Sequence, residues 1–189
     1  MKNHKRLTIG ALAFLFGALL FAFAPAGTTY VTHTGHIWFF SKTSMEDIEA
    51  HNYQVGSSLN PTSGDMAYSV LIKSFQFKKS LMQDHFNENY MESDKYPKST
   101  FTGKISDISK VNFTKDGAYN VTVSGNLMMH NVTNRVNANG TITVKGDSIY
   151  AKSTFKVTLK DYKIEIPSVV KDKIAETLDV HVDVAYPKK

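Results

Sequence analysis

Apolar and polar side chains alternate along the second half of the chain with few interruptions. Tyr119, Val121, Val123, Gly125, Leu127 and Met129 occupy one set of alternate positions, and Asn120, Thr122, Ser124, Asn126 and His130 occupy the other. Val136, Ala138, Ile142 and Val144 repeat the scheme, followed by Ile149, Ala151, Phe155, Val157 and Leu159, and then by Leu178, Val180, Val182 and Val184. Successive side chains of a strand point to opposite faces, so each run reads as a strand with one dry and one wet face. That pattern belongs to an antiparallel sheet with a single buried side, because strands covered on both faces read as continuous apolar runs.

Turn signals separate the runs. Lys145-Gly146-Asp147 and Lys115-Asp116-Gly117 predict tight connections. Asn60-Pro61-Thr62-Ser63-Gly64 separates a strand ending near Leu59 from one running from Met66 to Ile72. Two more strands are predicted near Tyr30 to His33 and His36 to Ser41. Ser44 to Asp47 has the character of a helix cap, but Ile48, Ala50, Tyr53 and Val55 fit a bulged strand better. A short helix is expected between Pro167 and Glu176. The strands number eight or nine and follow one another as a meander, enough to close a barrel with few raw edges. No repeat, low-complexity tract or linker divides the chain.

One segment carries a helical period instead. Ser80 stands three residues before Gln83, the spacing of a capping box, and predicts a helix over about 81–92. Met82, Phe86 and Tyr90 recur every four residues with Leu81 and Met91 beside them, while Asp84, Asn87, Glu88 and Glu92 fall on the other side. Pro97 drives Tyr96 towards an extended conformation, which ends the helix by about Ser93 and returns the chain to a strand near Ser99. A helix with this greasy edge can lie over an opening as a lid.

The first 26 residues combine a basic start (Lys2, Lys5, Arg6), an uncharged run from Leu7 to Phe23 and a small-residue exit at Ala24-Pro25-Ala26. They read as a secretory signal peptide cleaved after Ala26, with an uncleaved N-terminal anchor as the alternative for a run of about seventeen residues; cleavage makes the mature chain periplasmic or secreted and leaves 27–189 as one domain. Removing three basic and no acidic residues reduces the formal charge from +5 to +2. The remaining lysines, such as Lys152, Lys156 and Lys160, sit at alternate strand positions and read as a solvated outer face, so no nucleic-acid partner is expected. The chain has no cysteine, hence no disulfide, and its roughly 160 mature residues must stand on burial alone, which suffices for one domain.

Three stretches together resemble a known family. Residues 81–103, LMQDHFNENYMESDKYPKSTFTG, lie upstream of Gly125-Asn126-Leu127-Met128-Met129-His130-Asn131-Val132-Thr133 and of Leu159-Lys160-Asp161-Tyr162. In content, order and spacing they are similar to the YceI-like family of secreted bacterial proteins, and they span most of the mature chain. The resemblance implies a lipocalin-like, all-β barrel of eight antiparallel strands with one principal helix. It also implies that the barrel encloses an apolar chain, a polyisoprenoid or an isoprenoid quinone, as a bound lipid rather than a cofactor, and without chemical conversion.

Alternation by itself leaves open whether such a barrel is filled by side chains or holds a small ligand. With the cavity that the resemblance implies, facing and residue type nominate Phe75, Phe77, Tyr119, Leu127, Met129 and Phe155 as its lining. Met82, Phe86, Tyr90 and Met91 are placed at its mouth. A wall of Met, Leu, Val and Phe selects for greasiness and shape, and methionine repacks around irregular guests. One five-carbon isoprene unit is worth roughly 3 to 4 kcal/mol of burial. After association costs on the order of 4 kcal/mol, roughly three or four units reach the 8 kcal/mol of micromolar binding. A ten-residue strand tilted by about 40° spans roughly 25 Å along the axis, so a longer isoprenoid folds back or protrudes. Exchange of such a lipid would bring the protein to a membrane surface; a homodimer is compatible with the pattern but not specified by it.

The residues bear on two other classes of function. His33 with His36, and His85 with Glu88, are the candidate metal pairs, but residues three apart on a regular strand point to opposite faces and two ligands fall short of a zinc site. With no cysteine nucleophile and no Gly-x-Ser-x-Gly or phosphate loop, no catalytic residue is nominated. A scaffold with a solid core and an active polar exterior is the other alternative. The sequons at Asn112, Asn120, Asn131 and Asn139 follow from alternating Asn and Thr on that exterior.

Overall fold

The computed structural model describes residues 29–187, and the expected signal peptide at 1–26 lies outside them. The strands are β1 (Tyr30–Lys42), β2 (Asp47–Leu59), β3 (Asp65–Leu71), β4 (Gln76–Phe77), β5 (Lys98–Ile105), β6 (Gly117–Met129), β7 (Val132–Lys145), β8 (Ser148–Thr158) and β9 (Thr177–Pro187). Helix α1 (Ser80–His85) continues into a π-helical turn over Phe86–Tyr90. Neighbouring strands pair in the order β1-β9-β8-β7-β6-β5-β3-β2, and β2 pairs back to β1, so eight antiparallel strands form a closed barrel. The two-residue β4 continues the edge of β2 at Ala50 and His51, beyond the point where β3 leaves it. Closure removes the raw edges that a half-buried sheet of this size would otherwise expose. Among the described residues, no helix is long and apolar enough to cross a membrane.

Several local expectations are corrected. The two predicted strands at 30–33 and 36–41 are one strand, β1, whose register against β2 shifts on either side of Gly35. A Cβ at Gly35 would lie 3.0 Å from the Val184 side chain and 3.2 Å from the Val55 carbonyl, so β2 and β9 approach closely there and would have to give by a few tenths of an ångström to admit a side chain. The bulge expected in β2 is present, since its four residues from Asn52 to Val55 oppose three of β1 from Gly35 to Ile37. Lys115-Asp116-Gly117 does not join two strands directly; it ends a connection over residues 106–116 that contains a 3₁₀ turn, Ile108–Lys110. Pro167 to Glu176 holds the expected short helix as a single 3₁₀ turn, Ser168–Val170. The β6–β7 hairpin turns on His130 and Asn131, both with positive φ (51° and 60°), a connection that carries no glycine signal.

The helix also departs from its expected form. Its cap residue is Lys79, with no side-chain capping bond, and Ser80 is already helical. Gln83 Oε1 instead accepts the Phe77 N–H at 3.2 Å, which fixes the entry of the helix to β4 rather than closing a capping box. Asn87 Nδ2 donates to the Gln83 carbonyl at 2.9 Å, the acceptor that the residue-87 N–H would use in an unbroken α-helix. The next turn widens, and Met91 N–H donates to the Phe86 carbonyl, five residues back, at 2.9 Å. In a regular α-helix residue 91 would stand about 140° around the axis from residue 86. The widened turn swings Met91 beneath Phe86 instead, and Met91 is buried.

The inward faces form two zones. At one end Leu59, Met66, Ile105, Val121, Ile142, Ile149, Val184 and Tyr186 pack into a solid cluster. The Tyr186 hydroxyl lies 2.6 Å from Ser57 Oγ, and Ser57 Oγ in turn donates to the Ala67 carbonyl at 3.1 Å, which makes Tyr186 the donor of the pair. Towards the other end two further clusters, around Ile72, Met91, Leu159 and Ile164 and around Ile37, Val55, Val70 and Phe75, line the wall without filling the space between them. The barrel is therefore plugged at one end and hollow at the other.

Candidate functional site

The hollow end encloses a cavity of about 470 Å³. Its walls are the inward positions of the alternating runs: Ile37 and Phe39 from β1, Val70 from β3, Leu127 and Met129 from β6, Phe155 and Val157 from β8, Leu178 and Val180 from β9. Met82, Phe86, Tyr90 and Met91 close over it from the helical segment. A narrower extension of about 100 Å³ reaches inward past Tyr68, Phe101, Val123 and Ala138 towards the packed end. There the Phe101 ring occupies the space that side chains on the cross-strand pair Gly103 and Gly125 would need.

The two serines in the wall are already committed. Ser99 Oγ donates to the Met128 carbonyl at 2.8 Å, and Ser41 Oγ accepts the Ala175 N–H at 2.9 Å. Burial pushes the Tyr90 phenol above its usual range, which holds it neutral. The other charged or titratable residues lining the cavity are Glu46, Lys79, His85 and Lys173, and Lys79 Nζ pairs with Glu46 Oε1 at 3.2 Å. Such a wall offers a guest burial and dispersion but few fixed hydrogen bonds.

The lid is held at both ends. Phe86 stacks with Phe39 at 5.7 Å between ring centroids, meets Phe75 edge-on at 5.6 Å and lies 5.0 Å from Phe77. Beyond the helix Glu92, itself at a positive φ of 42°, places Oε2 2.9 Å from His130 Nε2. His130 Nδ1–H donates to the Tyr162 carbonyl at 3.1 Å, and Tyr96 packs edge-on against the imidazole.

Phe75, Phe77, Met82, Phe86, Tyr90, Met91, Leu127, Met129 and Phe155, nominated from the sequence, all line this cavity. Tyr119 does not. It faces inward at the opposite end, packs on the solid cluster and donates its hydroxyl to the Lys115 carbonyl at 3.1 Å, because β6 is long enough to serve both zones. Sequence reasoning missed Ile37 and Phe39, although the alternation of Ile37-Trp38-Phe39 carries their facing. It also missed Ile164, Val170 and Ile174, which reach the wall from 3₁₀ turns and irregular chain with no periodic signal.

His36 Nε2 lies 3.0 Å from His51 Nδ1 on β2, not against His33, and His51 Nε2 lies 3.1 Å from Glu49 Oε1. Among the described residues no group of three or more His, Cys, Asp or Glu side chains is gathered as a metal site would require. His36, Trp38 and His181 stack on the outer face, with Tyr53 on the far side of His36. Next to them lies an open depression of about 630 Å³ lined by polar residues including Asn120, Asn139 and Lys152. Its side chains largely bond one another, as in Thr122 with Asn139, Thr141 with Asn120 and Lys152 with Asp183, so the enclosed apolar space is the better candidate site.

Known proteins agree with this architecture. The family model described as the YceI-like domain matches residues 21–186. A domain from Saccharophagus degradans, described as polyisoprenoid binding and implicated in plant cell wall breakdown, superposes with a TM-score of 0.74 at 14% identity, covering 85% of this chain and 98% of its own. Burkholderia cenocepacia BcnA superposes at 0.67 with 14% identity over 80% of this chain and 95% of its own. The Campylobacter jejuni YCEI protein gives 0.57 and 13% identity over 100% of this chain and 92% of its own. No curated protein matches the chain significantly in sequence.

Proposed function

The chain belongs to the YceI-like family, and on that premise we propose that it binds and carries an isoprenoid-type lipid, a polyisoprenoid or an isoprenoid quinone, without converting it. The observation that carries this reading is the apolar cavity of about 470 Å³, plugged at one end and covered at the other by a helix with an aromatic and methionine face. The polyisoprenoid binding described for the similar Saccharophagus degradans domain supports the ligand class. A wall that is mostly apolar discriminates by fit and greasiness, which suits a hydrocarbon chain better than a polar metabolite. Tight packing at the far end lets such a guest enter only from under the lid. Export through residues 1–26, with cleavage after Ala26, would place the carrier in the periplasm or outside the cell.

Extraction of the purified protein with organic solvent, followed by mass spectrometry, tests the reading. A prenylated lipid at near-equimolar amount is expected, and Leu127→Trp, which narrows the cavity, is expected to lower its occupancy while the barrel still melts cooperatively. A protein that carries no lipid and, once stripped, takes up neither a polyprenol nor an isoprenoid quinone would overturn it.

A further inference from the structure

We propose that the barrel docks mouth-first on a phospholipid bilayer by inserting Met45, Leu81 and Val169, an inference that rests on the carrier reading and names the surface through which the cavity is loaded. Val169, Met45 and Leu81 are the three most exposed large apolar residues among those described, at 86%, 65% and 63%. They belong to three separate segments: the β1–β2 turn, the first turn of α1 and the 3₁₀ turn before β9. Each segment also supplies a residue to the cavity, Glu46, Leu81 and Val170 respectively. Two contacts gather the segments around one opening, Lys79 to Glu46 at 3.2 Å and the Ala175 N–H to Ser41 Oγ at 2.9 Å. The apolar prongs therefore encircle the entrance.

A bilayer is the occupant that this rim fits. A stable protein partner needs a continuous patch of about 800 Å² per side, whereas here single apolar side chains stand apart with exposed Lys42, Lys78 and Lys171 near them. Across residues 42–47, 78–85 and 168–176, five lysines are matched by five carboxylates. Balanced charge complements a zwitterionic surface and gives no pull towards a polyanion. Apolar side chains that reach the acyl boundary while lysines remain at headgroup level are the usual means of interfacial anchoring. A lipid would then pass between bilayer and cavity without crossing water.

Flotation of the processed protein, residues 27–189, with phosphatidylcholine vesicles tests the proposal, using the double variant Met45→Ser with Val169→Ser, which alters no residue lining the cavity. Wild type is expected to float with the vesicles, and the double variant to partition at least about tenfold less while retaining the same extractable lipid. Val31→Ser, at the packed end, is expected to float as wild type does. Equal flotation of wild type and double variant would overturn the proposal. So would binding that requires phosphatidylglycerol and disappears at high salt, or a wild-type dimer in free solution that the double variant abolishes. A barrel that extracts empty and takes up neither a polyprenol nor an isoprenoid quinone, yet still floats through these residues, would refute the carrier reading and leave the docking surface standing.

Discussion

Glu92 Oε2 lies 2.9 Å from His130 Nε2, so the turn between β6 and β7 holds the far end of the helical lid. The imidazole is nearly covered while the carboxylate is partly exposed, which makes the contact a modest latch worth about 1 kcal/mol or less. Glu92→Ala is expected to raise the release rate of a bound fluorescent isoprenoid about fivefold, as read by stopped-flow transfer to acceptor vesicles. An unchanged rate would show that the lid opens elsewhere.

The near end of the lid depends on Phe86, which touches Phe39, Phe75 and Phe77. Phe86→Ala is expected to cost about 2 kcal/mol in thermal or chemical unfolding, roughly half the cost of emptying a fully buried phenylalanine site. Lipid occupancy should fall and exchange should accelerate more than in the Glu92 variant. Retained occupancy and exchange would mean that the helix does not cover the entrance.

Alkali should weaken the packed end. Burial pushes the Tyr186 phenol far above its ordinary value, with Tyr68 beside it adding to the effect, and Tyr68 is itself raised mainly by burial. Above about pH 10 the unfolded chain releases these protons while the folded chain keeps them, so stability present below that pH is lost as pH rises. Thermal melts between pH 8 and 11 are expected to show the decline, and Tyr186→Phe is expected to flatten it. A profile flat to pH 11 in wild type would contradict the buried hydrogen-bonded pair.

Acid acts on the outer face. The His36 pKa is lowered first by burial and then by His51, while Asp183 opposes the shift. The surrounding charged and titratable groups are Glu49 on His51, Lys152 on Asp183, and His181 stacked beyond Trp38. With the folded pKa depressed, the unfolded chain takes up the proton more readily, so stability present above about pH 6.5 is lost as pH falls. His36→Gln is expected to reduce the difference in melting temperature between pH 7.5 and pH 5.5. An identical difference in wild type and variant would remove His36 from the account.

Gly125 and Gly103 face each other across β5 and β6 beneath the Phe101 ring. A Cβ on Gly125 would meet the Thr102 carbonyl as well as that ring, and a backbone atom cannot turn aside. Gly125→Ala is expected to destabilise the barrel by about 1 to 3 kcal/mol in urea titration, the usual range for overpacking. A neutral effect would mean that the two strands separate more readily than their pairing suggests.

The strands were legible because each has one wet and one dry face, and a period of two survives twist, closure and length. Leu127, Met129 and Phe155 could be placed on the inner face by that rule alone. Height along the barrel axis was not legible, and Tyr119 shows why: facing is a property of neighbouring residues, whereas position along the axis depends on the stagger between strands. The π-helical turn was hidden for a related reason. The stripe of Met82, Phe86 and Tyr90 reads equally well in a regular helix, and only the burial of Met91 requires the wider turn. Ile164 and Ile174 reach the wall from irregular chain, whose side-chain directions no period encodes.

The packed zone around Tyr186 also separates two tasks that most cores must perform at once. Cooperative stability can reside in that foundation, while the bore above it tolerates substitutions that widen, shorten or reshape it. Guest preference can therefore drift among descendants of one ancestor without the scaffold approaching its unfolding threshold.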